Sequence, residues 1–181
     1  MTAIVGYIDQ QTKKVYIGGD SAGVSGYDLH VRADQKVFVN DGFAMGFTTS
    51  FRMGQLLRYA FEPPLHKDDA DLMEYMVTDF VDTLRKCLKE GGFAEKKSER
   101  ETGGTFLVGH RGRLFYIEDD YQVGEMVVPY SAVGCGDSYA LGALRILHET
   151  AYTPEEKVRR ALEAAETYSN GVRGPFHIVS V

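Results

Sequence analysis

The apolar segments of this chain follow one order: strands, two helices, strands, two helices and a closing strand. A sheet with apolar residues on both faces needs a partner layer on each side. Two antiparallel sheets packed on each other, with a helix pair outside each, cover every apolar face. The order therefore predicts an α+β, four-layer αββα sandwich, with residues 1–181 as a single domain.

Residues 2–9 (TAIVGYID) and 14–20 (KVYIGGD) are rich in β-branched residues and flank the polar turn 10–13, so they read as a hairpin. Residues 21–36, rich in Gly, Ser and Asp, read as a loop or short irregular strands. KVFVND and GFAMGF form a second hairpin that turns at Asn40-Asp41-Gly42. A helix starts with an N-cap in Thr48 to Ser50, carries Met53, Leu56, Leu57 and Tyr59, and stops before Pro63-Pro64. A longer helix spans about 70–90, since Leu72, Met73, Met76, Val77, Phe80, Val81, Leu84 and Leu88 draw one apolar stripe. Gly91-Gly92 ends it, and the charged stretch 94–103 reads as a mobile loop.

Strands then follow at GTFLVGH, GRLFYIEDD, YQVGEMVV and YSAVG, with a tight turn at Arg111-Gly112. A helix occupies about 136–150. Thr153-Pro154 caps another that runs to about 169, and PFHIVSV closes the chain as a strand.

Net charge is -6, with no basic cluster, which argues against nucleic acid as a partner. No apolar run approaches the roughly 20 residues of a membrane-spanning helix. Cys87 and Cys135 make neither a disulfide framework nor a zinc spacing, which suits the reducing cytoplasm. No Gly-rich phosphate loop stands between a strand and a helix, so no cofactor is required.

Thr2 follows Met1, and a strand is expected directly behind it, without a disordered leader. A Thr hydroxyl is a poor nucleophile unless a base stands beside it. At a chain terminus the α-amine of the same residue, with a reference pKa of about 7.7–8.0, can be that base. A nucleophile that must be the first residue would explain such a start; Thr as a common second residue is the plain alternative. Taken singly, Asp20 after Gly18-Gly19 reads as a turn cap and Lys36 as a surface strand residue.

Taken together, IVGYID, VYIGGDSAG and ADQKVF resemble the N-terminal region of proteasome β subunits and of the bacterial protease HslV, which are N-terminal-nucleophile (Ntn) hydrolases. SAVGCGDSYALGALRIL is similar to the family's GSG turn and following helix, and ALEAAETYSN to the last helix of HslV. The resemblance covers nearly the whole chain and implies a catalytic set of Thr2, Asp20 and Lys36, with Lys36 sixteen residues after Asp20. Cys135 stands where the family has an auxiliary Ser. The amide of Thr48 or Thr49 would take the part of the oxyanion donor, where Gly is usual. Met45 is a candidate for the wall of the substrate pocket, a core Met being the alternative. Glu166 and Ser169 match the spacing of a family Asp and Ser. The resemblance also implies a structural monovalent or divalent cation on backbone carbonyls near Glu163, Glu166 and Ser169.

For function, the resemblance implies a threonine peptidase subunit in a homo-oligomer of stacked rings, acting on peptides and served by an ATP-dependent unfoldase. A non-catalytic ring subunit and an Ntn amidase acting on a small amide are the other readings.

Overall fold

The computed structural model describes residues 1–67 and 69–181. Among the described residues the main strands form two antiparallel sheets. The first sheet has the order β12–β1–β2–β13, from β1 (Ile4–Ile8), β2 (Val15–Gly19), β12 (Tyr130–Val133) and β13 (His177–Ser180). The second has the order β11–β10–β9–β6–β5, from β5 (Val37–Asn40), β6 (Phe43–Phe47), β9 (Phe106–His110), β10 (Arg113–Ile117) and β11 (Val123–Glu125). Two ribbons stand apart, β3 (Ala22–Ser25) with β4 (Asp28–Val31), and β7 (Glu95–Lys97) with β8 (Arg100–Thr102).

Strand alternation divides the core into three. Ile4, Ile17, Val37, Ala44, Leu107 and Leu114 fill the space between the sheets. Val5, Tyr7 and Ala132 turn the other way, onto α4 (Asp137–Leu147) and α5 (Pro154–Tyr168). Phe43, Met45, Phe106 and Phe115 pack against α1 (Phe51–Tyr59) and a helical column of α2 (Leu72–Tyr75) and α3 (Val81–Glu90). The result is the four-layer αββα sandwich. Among the described residues no helix is long and apolar enough to cross a membrane.

Several local expectations change. The helix expected over 70–90 is continuous but passes through a π-helical stretch, Met76–Phe80, between α2 and α3. The extra residue per turn lets Met76 and Phe80, both fully buried, and Val81 stay on the core side. The stretch expected as a mobile loop at 94–103 pairs instead as the β7–β8 ribbon, register Glu95↔Thr102. YQVGEMVV contributes only Val123–Glu125 as strand; Met126 and Val127 are exposed beyond it. Ser50 is the N-cap of α1, its side chain accepting from the Arg52 N–H. Thr153 caps α5 in a reciprocal capping box with Glu156.

Candidate active site

Thr2, Ile4 and Gly6 share a strand parity, so Thr2 lies at the mouth of the space between the sheets. The register Ile4↔Gly19 brings the end of β2, and Asp20 just beyond it, to the same place. Lys36, immediately before β5, completes the group. Its Nζ donates to Thr2 Oγ1 and to Asp20 Oδ1, both at 2.8 Å. All three are buried: Thr2 is 4% exposed, Asp20 0% and Lys36 2%.

A buried ion pair survives only when its remaining lone pairs are satisfied. Asp20 meets that demand with backbone donors: Ala3 N–H to Oδ1 at 3.0 Å, Ala22 N–H to Oδ2 at 2.8 Å, and Arg173 N–H to Oδ2 at 3.3 Å. Burial pushes the Lys36 ammonium below its ordinary value, and the charge and hydrogen bond of Asp20 oppose that shift. Lys36 is therefore a cation whose proton is held less firmly than usual, in contact with a hydroxyl.

Thr2 is held from both sides of its backbone. Its N–H donates to Cys135 Sγ at 3.3 Å, and its carbonyl accepts from the Gly136 N–H at 3.2 Å. Gly134, between β12 and α4, has φ +105°, and a Cβ there would sit 2.3 Å from the Thr2 carbonyl oxygen. Glycine is needed at this point for both conformation and space. Cys135 is exposed and also touches Ser169 Oγ at 3.5 Å. Thr2 Oγ1 donates to the Met1 carbonyl, and Met1 is half-exposed.

The two candidates for an amide donor differ. Thr48 N–H is committed to the Thr105 carbonyl at 3.1 Å. Thr49 N–H makes no hydrogen bond among the described residues, and Thr49 has φ 62°. Its flanking residues close a tight turn, Ser50 N–H to Thr48 carbonyl at 2.7 Å, and its own Oγ1 accepts from the Thr105 N–H at 3.1 Å. A β-branched residue in this left-handed conformation is strained, and the surrounding bonds hold it there. Thr48 and Thr49 line a cavity of about 80 Å³ beside Thr2, Lys36 and Phe51, and also a groove of about 530 Å³ that runs past Gly134 and Asp137.

Met45 is not in this wall. It shares β6 parity with Phe43 and Phe47 and is fully buried in the core against the helices. Glu166 does not reach Thr2 either: its Oε1 accepts from the Gly174 N–H at 3.0 Å and lies 3.8 Å from Arg173. Of the last-helix pair only Ser169 approaches the site, through Cys135. The carbonyl of Glu163, one of the expected cation ligands, accepts from Thr167 Oγ1 at 2.9 Å. Among the described residues no three His, Cys, Asp or Glu side chains gather to hold a metal.

Two contributors carried no sequence signal. The Arg173 N–H is a backbone group brought to Asp20 by the last loop. Phe51 lies under the cations, with Arg32 Cζ 3.7 Å and Lys36 Nζ 5.7 Å from its ring centre. Arg32 is itself forked onto Asp34 through two bonds of 2.7 and 2.6 Å.

No sequence-family profile matches the chain, and no curated protein matches it. Solved structures do. BPH of Thiobacillus denitrificans, in complex with epoxomicin, is similar with a TM-score of 0.81 and 19% identity over 99% of this chain and 98% of that one. HslV from Trypanosoma brucei gives 0.68 and 17%, over 99% and 98%. A Gly-1 mutant of Anbu from Hyphomicrobium sp. strain MC1 gives 0.64 and 14%, over 99% and 80%. The chain has the fold of these HslV-like, proteasome-type structures, at 14–19% identity.

Proposed function

We propose that this protein is a threonine-type peptidase subunit whose nucleophile is Thr2 after removal of Met1. The observation that carries the reading is the buried contact of Lys36 Nζ with both Thr2 Oγ1 and Asp20. Removal of Met1 turns the Thr2 amide nitrogen, now against Cys135, into an amine with a lone pair. That amine takes the hydroxyl proton as Oγ1 attacks a peptide carbonyl carbon. Lys36 lowers the cost of the developing alkoxide, and Asp20 fixes Lys36. The Thr49 N–H, uncommitted among the described residues, serves as the donor to the oxyanion. The C–N bond breaks, the leaving amine carries the proton away, and water hydrolyses the Thr2 ester.

An open site of this kind requires shielding from folded proteins. The reading therefore includes a cytoplasmic, single-domain subunit in a homo-oligomer of stacked rings, fed by an ATP-dependent unfoldase, with peptide as substrate. The BPH neighbour was solved with epoxomicin bound, which supports the use of the same class of probe here. An epoxyketone needs a hydroxyl and a free amine on one residue. Its adduct on Thr2 of the processed protein, mapped by mass spectrometry, is the expected result. A processed protein that turns over no peptide and takes no adduct would leave a non-catalytic ring subunit.

A further inference from the structure

The two cysteines stand in different surroundings. Cys87, on α3, is half-buried, and burial pushes its thiol above the ordinary value. Cys135, in the turn between β12 and α4, is exposed. Its sulfur spans the backbone of Thr2: it accepts from the Thr2 N–H at 3.3 Å and donates to the Thr2 carbonyl at 3.5 Å. Both sides of this contact are held in place. The Gly136 N–H donates to the Thr2 carbonyl at 3.2 Å, and the Asp137 N–H closes the turn onto the Gly134 carbonyl at 3.1 Å. The Ala3 N–H ties the next residue to Asp20 at 3.0 Å. The sulfur also meets Ser169 Oγ at 3.5 Å and faces Gly171, where an added Cβ would stand 2.6 Å from it.

Two reactive groups held in contact behave as if each were at very high concentration toward the other. Peroxide converts an accessible thiolate into a sulfenic acid, and a sulfenic acid condenses with a thiol or with a neighbouring nitrogen. Among the described residues the sulfur of Cys135 has no thiol in contact; its hydrogen-bonding neighbours are the Thr2 backbone and the Ser169 hydroxyl. Once Met1 is removed, the Thr2 nitrogen is a primary amine, a far better nucleophile than the amide it replaces. The mechanism above uses the same amine as the base for the Thr2 hydroxyl. A covalent bond to that nitrogen therefore takes the base out of the reaction.

We propose that Cys135 and the Thr2 amine form a reversible, peroxide-driven sulfur–nitrogen bridge that switches the site off. The proposal rests on the reading of Thr2 as the processed N-terminus. The Cys135 thiolate attacks one oxygen of hydrogen peroxide, the O–O bond breaks, and the sulfur is oxidised to a sulfenic acid; the other oxygen leaves as water with the thiol proton. The amine lone pair then attacks that sulfur. The S–O bond breaks, and the hydroxyl leaves as a second water with a proton from the amine. The protein loses two hydrogen atoms, one from the thiol and one from the amine, while peroxide is reduced to two waters. A small thiol reverses the step: its thiolate attacks the sulfur, the amine leaves and takes a proton, and a second thiol resolves the mixed disulfide. A hydroxyl at residue 135 has no such chemistry, so the sulfur adds redox control to the site.

The test uses the full processed chain, its loss of Met1 shown by intact mass, as the parent and as Cys87→Ser, which excludes a disulfide. Each is treated with hydrogen peroxide at about pH 8.5, where an ordinary thiol is half ionised. The expected product is lighter than the reduced chain by two hydrogen atoms. Its fragment ions should join Thr2 to Cys135, a readout that the parent supplies even where Cys87→Ser does not fold. Dithiothreitol should restore the original mass. Peptide turnover should fall by about tenfold or more in the bridged form and return with dithiothreitol. The chain that keeps Met1 should gain oxygen at Cys135 instead. Oxygen gain without hydrogen loss in the processed chain would overturn the proposal, as would the same hydrogen loss in the Met1-bearing chain or in Cys135→Ser. A bridge in a chain that shows no turnover when reduced supports the proposal and removes the peptidase reading; turnover with no bridge does the reverse.

Discussion

Lys36 Nζ lies 2.8 Å from Asp20 Oδ1, with both side chains sealed from solvent. The two partners are not equally supported. Without Lys36, Asp20 keeps three backbone N–H donors; without Asp20, Lys36 keeps one hydrogen-bond partner among the described residues, Thr2 Oγ1. Asp20→Asn should therefore destabilise more than Lys36→Met. It leaves a buried ammonium without its counter-charge and turns an amide NH₂ toward groups that themselves donate. A loss of about 3–5 kcal/mol is expected for Asp20→Asn in denaturant titration at neutral pH. The opposite order would show that Lys36 is not charged in the folded state.

The same pair fixes a pH dependence. Burial lowers the Lys36 pKa below 10.5 and Asp20 raises it. A lowered folded-state value means that the folded chain binds fewer protons than the unfolded one between that value and 10.5, so stability rises with pH across this window. Asp20→Asn removes the raising influence and widens the window on its acid side. The stability gap between the variant and the parent should be largest at neutral pH and shrink toward 10.5. A gap that grows with pH, measured by urea unfolding at several pH values, would contradict the assignment.

Thr2→Ala removes the hydroxyl and leaves the fold, since among the described residues Oγ1 hydrogen-bonds only to Lys36 and the Met1 carbonyl. Peptide turnover by the processed protein should fall by about 10³-fold or more, with melting temperature little changed. Intact mass must first show that Met1 is gone. Retained turnover in Thr2→Ala would move the nucleophile elsewhere, to the Cys135 thiol first.

The layer order was legible because strand and helix periodicity is written in side-chain polarity. Thr2, Asp20 and Lys36 were legible as a set only through their resemblance to a known pattern; each alone has an ordinary structural reading. What escaped were features set by the backbone. The π-helical stretch at Met76–Phe80 keeps the same apolar stripe as a plain helix. The β7–β8 ribbon is held by main-chain pairing beneath charged side chains. Met45 was open to two readings because its side follows from the β6 parity, which the sequence does not number from the active site. That the Thr105 carbonyl takes the Thr48 N–H is likewise a main-chain feature without a side-chain signature.

Cys135→Ser tests the contact at the Thr2 nitrogen. The thiol accepts from that N–H at 3.3 Å and touches Ser169 at 3.5 Å. A hydroxyl is smaller and a stronger hydrogen-bonding group, so it should hold the processed amine at least as well. Turnover should stay within a few-fold of the parent or rise. A loss as deep as that of Thr2→Ala would mean that sulfur takes part in the chemistry.

Gly171→Ala separates the Met1-bearing chain from the processed one. A Cβ at residue 171 would stand 2.3 Å from Met1 Cβ and 2.6 Å from Cys135 Sγ. The sulfur ends a short side chain and can swing away; Met1 Cβ is tied to the backbone that holds Thr2. With Met1 present the substitution overpacks the site, at a cost of about 1–3 kcal/mol. With Met1 removed only the sulfur contact remains, so most of that cost should vanish. Melting temperatures of the two forms, produced without and with methionine aminopeptidase, measure the difference. Equal losses in both would place the obstruction at Cys135, and Gly171→Ala combined with Cys135→Ser should then recover the stability.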